Sequence, residues 1–376
     1  MPHLIKGGVV DLKKILVLAN SSGGLYDFRN DFMKALLSAG ELYISVPDTV
    51  KTDLLEAEGA RIIHTDINRH GVNPKEDFKL LMAYRKLMKQ IKPDLVLTYT
   101  IKPDIYGGMA AASLKIPYIE TVTGLGTVFE KKGVLLKLVI TLYKLGLKKA
   151  ECIFFQNREN RQLFSELGIE GKSSALVNGS GVDLEEHKPE PYPQGDETHF
   201  LYVGRVMTDK GIRELLEAAE LIKKREDADK IFFEILGYCD EDYQELLDEK
   251  ESLGIIKQLG FHPEVNEFLA RASAIVIPSY HEGMCNSLTE ASATARPVLA
   301  SNISGCREVI DDGLTGYVFK PRDAKSLKEA FEKFLSLSVE ERAQMGIKAR
   351  EKMEAEFDRR DVTASYMVEV NRVLGI

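Results

Sequence analysis

Residues 275–301 read IVIPSYHEGMCNSLTEASATARPVLAS. An apolar run ends in Pro278 and Ser279. Glu282-Gly283, Asn286-Ser287 and Glu290 follow, then small residues with helical character, then a second apolar run after Pro297. The order is strand, loop, helix, strand. It places a helix N-terminus, a glycine and two carboxylates at the carboxyl end of a parallel strand. Open α/β sheets bind nucleotides there, because unpaired N–H groups and the helix dipole favour phosphate.

The same alternation runs outward in both directions. Upstream, KILVLA (14–19), LYISVP (42–47), RIIHT (61–65), LVLTYT (95–100), PYIETVT (117–123) and CIFFQN (152–157) read as strands. Helical patterns such as Phe28–Ala39, Glu76–Gln90 and Ile105–Leu114 lie between them. Strands alternating with helices predict parallel sheets covered on both faces. From Leu184 to Thr198 the pattern breaks in LEEHKPEPYPQGDET, which holds three prolines. The alternation then restarts at HFLYVGR (199–205). The fold class expected is therefore α/β, with two Rossmann-like doubly wound domains facing a cleft. The first spans 1–187, an interdomain linker 188–198, and the second 199–360. A last helix, 361–376, packs on its own domain or crosses back to the first.

At 44% hydrophobic and 29% charged, the 376-residue chain has the composition of ordinary folded domains. No apolar run approaches the roughly 18 residues of a membrane span, and the N-terminus does not read as a signal peptide. Cys152, Cys239, Cys285 and Cys306 lack C-x-x-C spacing, which predicts reduced thiols in a cytoplasm rather than a disulfide frame or a zinc site. Net charge is −8 but uneven: residues 1–150 carry +7 and residues 151–376 carry −15. No nucleic-acid partner is expected.

Six segments carry a resemblance: YVGRVMTDKG (202–211), HEGMCNSLTEA (281–291) and SGCREVIDDGLTGYVF (304–319), preceded by SSGGLYDFR, TYTIKPDIYGGMAA and TVTGLGTVF in the first half. The chain resembles the retaining glycosyltransferases of GT-B fold and family 4 type. The upstream segments are similar to the bacterial branch that builds capsule, O-antigen and related glycans on lipid carriers. The resemblance implies that Glu290 binds the ribose hydroxyls of a nucleotide sugar and that Glu282 lies beside the donor sugar. Gly204, Gly283 and the backbone of Met284, Cys285, Asn286, Ser287, Leu288 and Thr289 would complete the donor site, with Gly23 and Gly24 under its phosphates. Arg205 and Lys210 would stabilise the departing diphosphate, which gains charge as the glycosidic bond breaks. These cations need no divalent ion, so no metal and no cofactor are expected. The D-x-D at Asp227–Asp229 reads as a polar turn.

Ser22, Lys102, Thr123 and Gly124 are expected to bind the acceptor, with Asp104 opening into the same cleft as Lys102. Much of the wider family has a histidine where Thr123 stands, which puts any histidine-dependent role in doubt. The glycines at 23 and 24 are not G-x-G-x-x-G, and no acid closes the second strand, so a nicotinamide site is disfavoured. The expected partners are a UDP-sugar and a polyprenyl-diphosphate-linked or glycan acceptor at the inner membrane face. Residues 130–150 (EKKGVLLKLVITLYKLGLKKA) hold six lysines among Leu, Val and Ile. They read either as a helix drawn to anionic lipid or as a core helix with solvated lysines. Two other functions stay open at this point: a nucleotide-sugar epimerase of GT-B fold, and a non-catalytic nucleotide-sugar-binding partner.

Overall fold

The computed structural model describes residues 12–68, 71, 73–125, 129 and 133–376. It divides into two units. The first comprises Met1–Phe155, Asn160–Leu176 and Thr363–Ile376; the second comprises Gln156–Glu159 and Val177–Val362.

In the first unit, β1 (Lys14–Leu18), β2 (Glu41–Val46), β3 (Arg61–His64), β4 (Leu95–Tyr99), β5 (Tyr118–Val122), β6 (Cys152–Phe155) and β7 (Ser174–Leu176) form a parallel sheet of order β3-β2-β1-β4-β5-β6-β7. The order reverses between β1 and β4, which makes a switch point at their carboxyl ends. In the second unit, β8 (Thr198–Val203), β9 (Ile231–Leu236), β10 (Lys257–Gly260), β11 (Ala274–Ile277), β12 (Val298–Ser301) and β13 (Gly316–Phe319) are ordered β10-β9-β8-β11-β12-β13. Its switch point lies between β8 and β11. Successive residues of β8 show why these strands lack polar alternation. Phe200 stacks on Phe233 and packs on Phe331 and Phe334 of one face, while Leu201 joins Ile275, Leu288 and Val298 on the other. Both faces are covered, so both sets of side chains must be apolar.

Two expectations change, and one that stood open is decided. The first helix begins at Ser22, not Phe28. Arg29 sits at φ −139°, ψ 17° inside it and bends it, so the regular apolar spacing starts only after the bend. The segment read as a linker belongs to the second unit. Arg296, fully buried, donates to the carbonyls of Glu190 at 3.0 Å, Pro191 at 2.8 Å and Ala270 at 2.6 Å. The Tyr192 hydroxyl donates to Ser273 O at 3.0 Å. Proline makes the stretch irregular because it lacks an N–H; irregular here is not loose. The last helix, Arg359–Leu374, enters the first unit at Thr363. Tyr366 packs there on Phe32 and Phe154, with ring centroids 4.8 and 4.2 Å away.

Candidate active site

The second unit gathers its charged groups at the carboxyl ends of β8 and β11. Arg205 leaves β8 after Gly204 and meets Asp240 at 2.6 Å, half-exposed. A 3₁₀ turn, Thr208–Lys210, ends in Gly211 at φ +67°. A Cβ at Gly211 would strike Pro278 O at 2.0 Å, so glycine lets this turn press against the loop after β11. The Asp209 carbonyl accepts from Tyr280 N–H at 2.8 Å and joins the two loops. Together they place Lys210 Nζ 2.5 Å from Glu282 Oε1, a largely buried ion pair. Burial works to lower the Lys210 pKa, but the Glu282 carboxylate outweighs it and the ammonium is held above its ordinary value.

The helix Asn286–Ala293 starts immediately after this loop, with Cys285 as its N-cap. Of its first-turn N–H groups, those of Leu288 and Thr289 turn back to Cys285 O at 3.2 and 3.3 Å; those of Asn286 and Ser287 precede any intrahelical acceptor. Met284, Cys285, Leu288 and Thr289 are buried; Glu282, Gly283, Asn286, Ser287 and Glu290 are partly exposed. Leu288 and Thr289 therefore offer no side chain to a ligand: Leu288 is core, and the Thr289 hydroxyl donates to Asn286 O at 2.8 Å. The Cys285 N–H is also taken, by Gly305 O at 2.9 Å. Gly305 itself, at φ +88°, has no room for a Cβ against the Glu282 and Gly283 carbonyls. SGCREV is thus the brace under the loop after β11, and the Cys285 and Cys306 thiols meet there.

A feature not anticipated from the sequence lies beside Arg205. Val206, Gly237, Tyr238, Cys239, Gln258 and Phe261 line a cavity of about 230 Å³ at the ends of β8, β9 and β10. Tyr238 and Phe261 stand edge to face at 5.8 Å, and both are exposed. A glycine followed by an aromatic residue at each of two strand ends, Gly237-Tyr238 and Gly260-Phe261, is the signal that could have revealed it. Asp227 is bound in two places by Arg225, at 2.8 and 2.9 Å.

In the first unit, Lys102, Thr123 and Gly124 line one cavity of about 250 Å³ with Asn20, Thr100 and Ile67. It lies at the β1/β4 switch point. Thr100 has φ +75° and is followed by a π-helical turn, Pro103–Gly107. Strained backbone and π turns both concentrate at functional sites. Lys102 Nζ donates to the buried Asp77 carboxylate at 2.8 Å.

Two first-unit expectations are corrected. Ser22 is fully buried: its hydroxyl bonds to Asp48 and accepts from Lys51 N–H at 3.1 Å, tying the loops after β1 and β2 together. It presents nothing to an acceptor. Asp104 is also buried; it takes the Thr98 hydroxyl at 2.6 Å, and burial pushes its pKa up. Gly23 and Gly24 lie in the first turn of the helix that begins at Ser22. A Cβ at either would meet nothing closer than 3.7 Å, so packing within the unit does not require glycine there. Gly126 and Glu130–Lys132 fall outside the described residues.

The comparisons agree with this fold. Residues 183–352 match the model described as glycosyl transferases group 1, and residues 14–157 match glycosyl transferase 4-like. The chain belongs to the GT-B glycosyltransferases and is a glycosyltransferase. It is 27% identical over 96% of its length to the N,N'-diacetylbacillosaminyl-diphospho-undecaprenol alpha-1,3-N-acetylgalactosaminyltransferase of Campylobacter jejuni, 99% of which is covered. It is 27% identical over 68% of its length to the UDP-Gal:alpha-D-GlcNAc-diphosphoundecaprenol alpha-1,3-galactosyltransferase of Escherichia coli, 70% of which is covered. Among solved structures, Anabaena HepE in complex with UDP-glucose superposes with a TM-score of 0.78 at 17% identity, covering 96% of this chain and 99% of that one.

Proposed function

We propose that this glycosyltransferase moves a hexose-type sugar, with retention of anomeric configuration, from a UDP-sugar to a saccharide carried on a polyprenyl diphosphate. The observation that carries the reading is the Lys210–Glu282 pair. It lies at a β8/β11 switch point and leads directly into the N-terminus of the helix Asn286–Ala293. Lys210, with Arg205, supplies fixed positive charge for a leaving diphosphate, and oriented charge of this kind is worth most where water is scarce. Glu290, on the same helix, takes the ribose hydroxyls. The cavity between Tyr238 and Phe261 takes the base. Glu282 holds Lys210 in place and faces the donor sugar.

The acceptor hydroxyl attacks the anomeric carbon on the face the diphosphate leaves. The C1–O bond to the diphosphate breaks, the new C1–O bond forms, and the acceptor proton passes to the departing phosphate oxygen. The products are the glycoside and UDP. No divalent ion takes part in this scheme. The names of the two relatives, each of which acts on a diphospho-undecaprenol sugar, support the acceptor class.

The helix Val134–Leu147 supports a membrane contact. It buries Val139, Tyr143 and Leu147, and leaves Val134, Leu135, Leu138 and Leu145 exposed beside Lys137 and Lys144. None of the described helices is long and apolar enough to cross a membrane. An exposed apolar stripe flanked by lysines suits the surface of an anionic bilayer.

A donor panel with a lipid-linked acceptor extract, read as released nucleoside diphosphate, tests the transferase. UDP-sugars are expected to turn over without added Mg2+, and silence with every donor would refute the reading. Glu290→Ala should weaken UDP binding by about tenfold, the worth of one good charge-assisted contact; unchanged affinity removes the ribose assignment. In vesicle flotation, equal binding to neutral and anionic liposomes would remove the membrane contact.

A further inference from the structure

The cavity that Lys102 shares with Thr123 and Gly124 is not alone in the first unit. A larger one, of about 520 Å³, lies on the other side of Lys102, between the segment after β3 and the helix Pro74–Ile91. Lys102 lines both cavities. So does the chain that follows β3: Asp66 and Asn68 line the larger cavity and Ile67 the smaller. Residues 66–68 thus run between the two cavities.

The two cavities differ in charge. Among the described residues, Lys102 is the one charged side chain lining the smaller cavity, beside Asn20, Thr100 and Thr123 and the apolar Ile67, Ile101 and Pro103. The larger has Asp66, Glu76 and Asp77 against Lys79 and Lys102, with His64 3.0 Å from Asp66 and with Thr65 and Asn68 as neutral polar groups. Leu80 is buried and gives it an apolar floor. Its volume falls in the range of small-molecule sites, roughly 300–1,000 Å³. An anion fits the smaller cavity. The larger repels an anion, but its carboxylates accept strongly from hydroxyl and amide N–H donors.

We propose that the larger cavity receives the neutral saccharide of the acceptor and discriminates against acidic sugars, while Lys102 and the smaller cavity hold the diphosphate. This rests on the lipid-diphosphate reading above. It adds a specificity that the reading does not contain. A uronic acid in the larger cavity would set its own carboxylate against Asp66 and Glu76, a repulsive element of the kind that excludes wrong ligands. An N-acetylhexosamine offers hydroxyls and an amide N–H instead.

The test is titration calorimetry on the full chain with three short-chain prenyl diphosphates: bare, bearing N-acetylglucosamine, and bearing glucuronic acid. The N-acetylglucosamine form is expected to bind about tenfold more tightly than the bare diphosphate, and the glucuronic acid form no more tightly than the bare one. Ala83→Arg fills the larger cavity from an exposed helix position. It should erase the sugar-dependent gain and leave the bare diphosphate's affinity in place. Glu76→Gln should bring the glucuronic acid form toward the N-acetylglucosamine form. A gain that survives Ala83→Arg, or a glucuronic acid form that binds as tightly as the neutral one, overturns the proposal while sparing the diphosphate reading. No binding by any of the three defeats that reading, and the proposal with it.

Discussion

In the second unit Lys210 meets Glu282 at 2.5 Å; in the first, Lys102 meets Asp77 at 2.8 Å. Each pair lies near the carboxyl end of a parallel sheet, and each lysine is aimed, in our reading, at a diphosphate. What differs is the company of the carboxylate. Asp77 sits in the first turns of a helix, where its second oxygen accepts from Asn73 N–H at 3.2 Å and the Tyr106 hydroxyl stands beside it. Among the described residues, Lys210 is the one hydrogen-bond partner of the Glu282 side chain. Asp77 can therefore release its lysine to a phosphate and stay hydrogen-bonded. Glu282 cannot, because a buried carboxylate without a partner is costly. Lys210 and Glu282 should act as a fixed unit, and Lys102 as a lysine that changes partner.

The largest effect that follows is on Lys210. Lys210→Met should lower turnover by about 10²–10³, the usual cost of removing one oriented charge stabiliser from a reacting site. The loss should fall on kcat, because the diphosphate gains its charge in the transition state. A loss confined to the donor KM would make Lys210 an anchor rather than a stabiliser. Lys102→Met should cost less, about tenfold in kcat/KM for the lipid-linked acceptor, and should leave donor hydrolysis in the absence of acceptor unchanged. If that hydrolysis falls in parallel, the division of labour between the two lysines is wrong. Arg205→Gln should cost the least of the three, about threefold to tenfold in turnover, because Arg205 is half-exposed and already shared with Asp240.

The two pairs also differ in how far they could be read from sequence. Glu282, Asn286 and Glu290 fall within one nine-residue stretch shortly after a strand end, and backbone geometry alone ties them to a helix N-terminus. Lys210 follows its own strand in the same way. Asp77 was invisible: it is 25 residues from Lys102, on a helix whose solvent-facing acids look alike in a string of letters. Ser22 was misread for the complementary reason. Spacing shows that a serine follows a strand, but not that its hydroxyl turns inward to Asp48. The proline-rich segment after Leu184 lacks periodicity, and its carbonyls are held from far along the chain: Glu190 and Pro191 by the buried Arg296, His187 by Arg350. Topology came through because both sheets are built from short apolar runs at regular intervals. Side-chain partners across loops leave no such trace.

A third set of carboxylates sharpens the comparison, because it has no lysine. Asp104 and Glu120 are fully buried in the first unit, and Gly108 lies so near that a Cβ there would strike Glu120 Oε1. Asp104 follows Lys102 by two residues, yet Lys102 turns to Asp77 instead. Burial raises the pKa of both acids, and Asp104 raises that of Glu120 further. The folded chain therefore holds protons that the unfolded chain gives up near the ordinary carboxylate values of about 4. The stability these acids contribute is complete below that range and is lost as pH rises toward their folded values. Glu120→Gln copies the protonated acid and cannot lose its proton. Its Tm should match that of the parent chain near pH 4 and exceed it by an increasing margin from pH 5 to pH 8. The margin should reach a few degrees, at about 2–4 °C per kcal/mol for a domain of this size. Thermal melts followed by circular dichroism across that range measure it directly. A margin that does not change with pH would mean that folding leaves the Glu120 pKa where it is in the unfolded chain, and one that falls as pH rises would mean that Glu120 is charged in the fold and has found a cation, as Glu282 and Asp77 have.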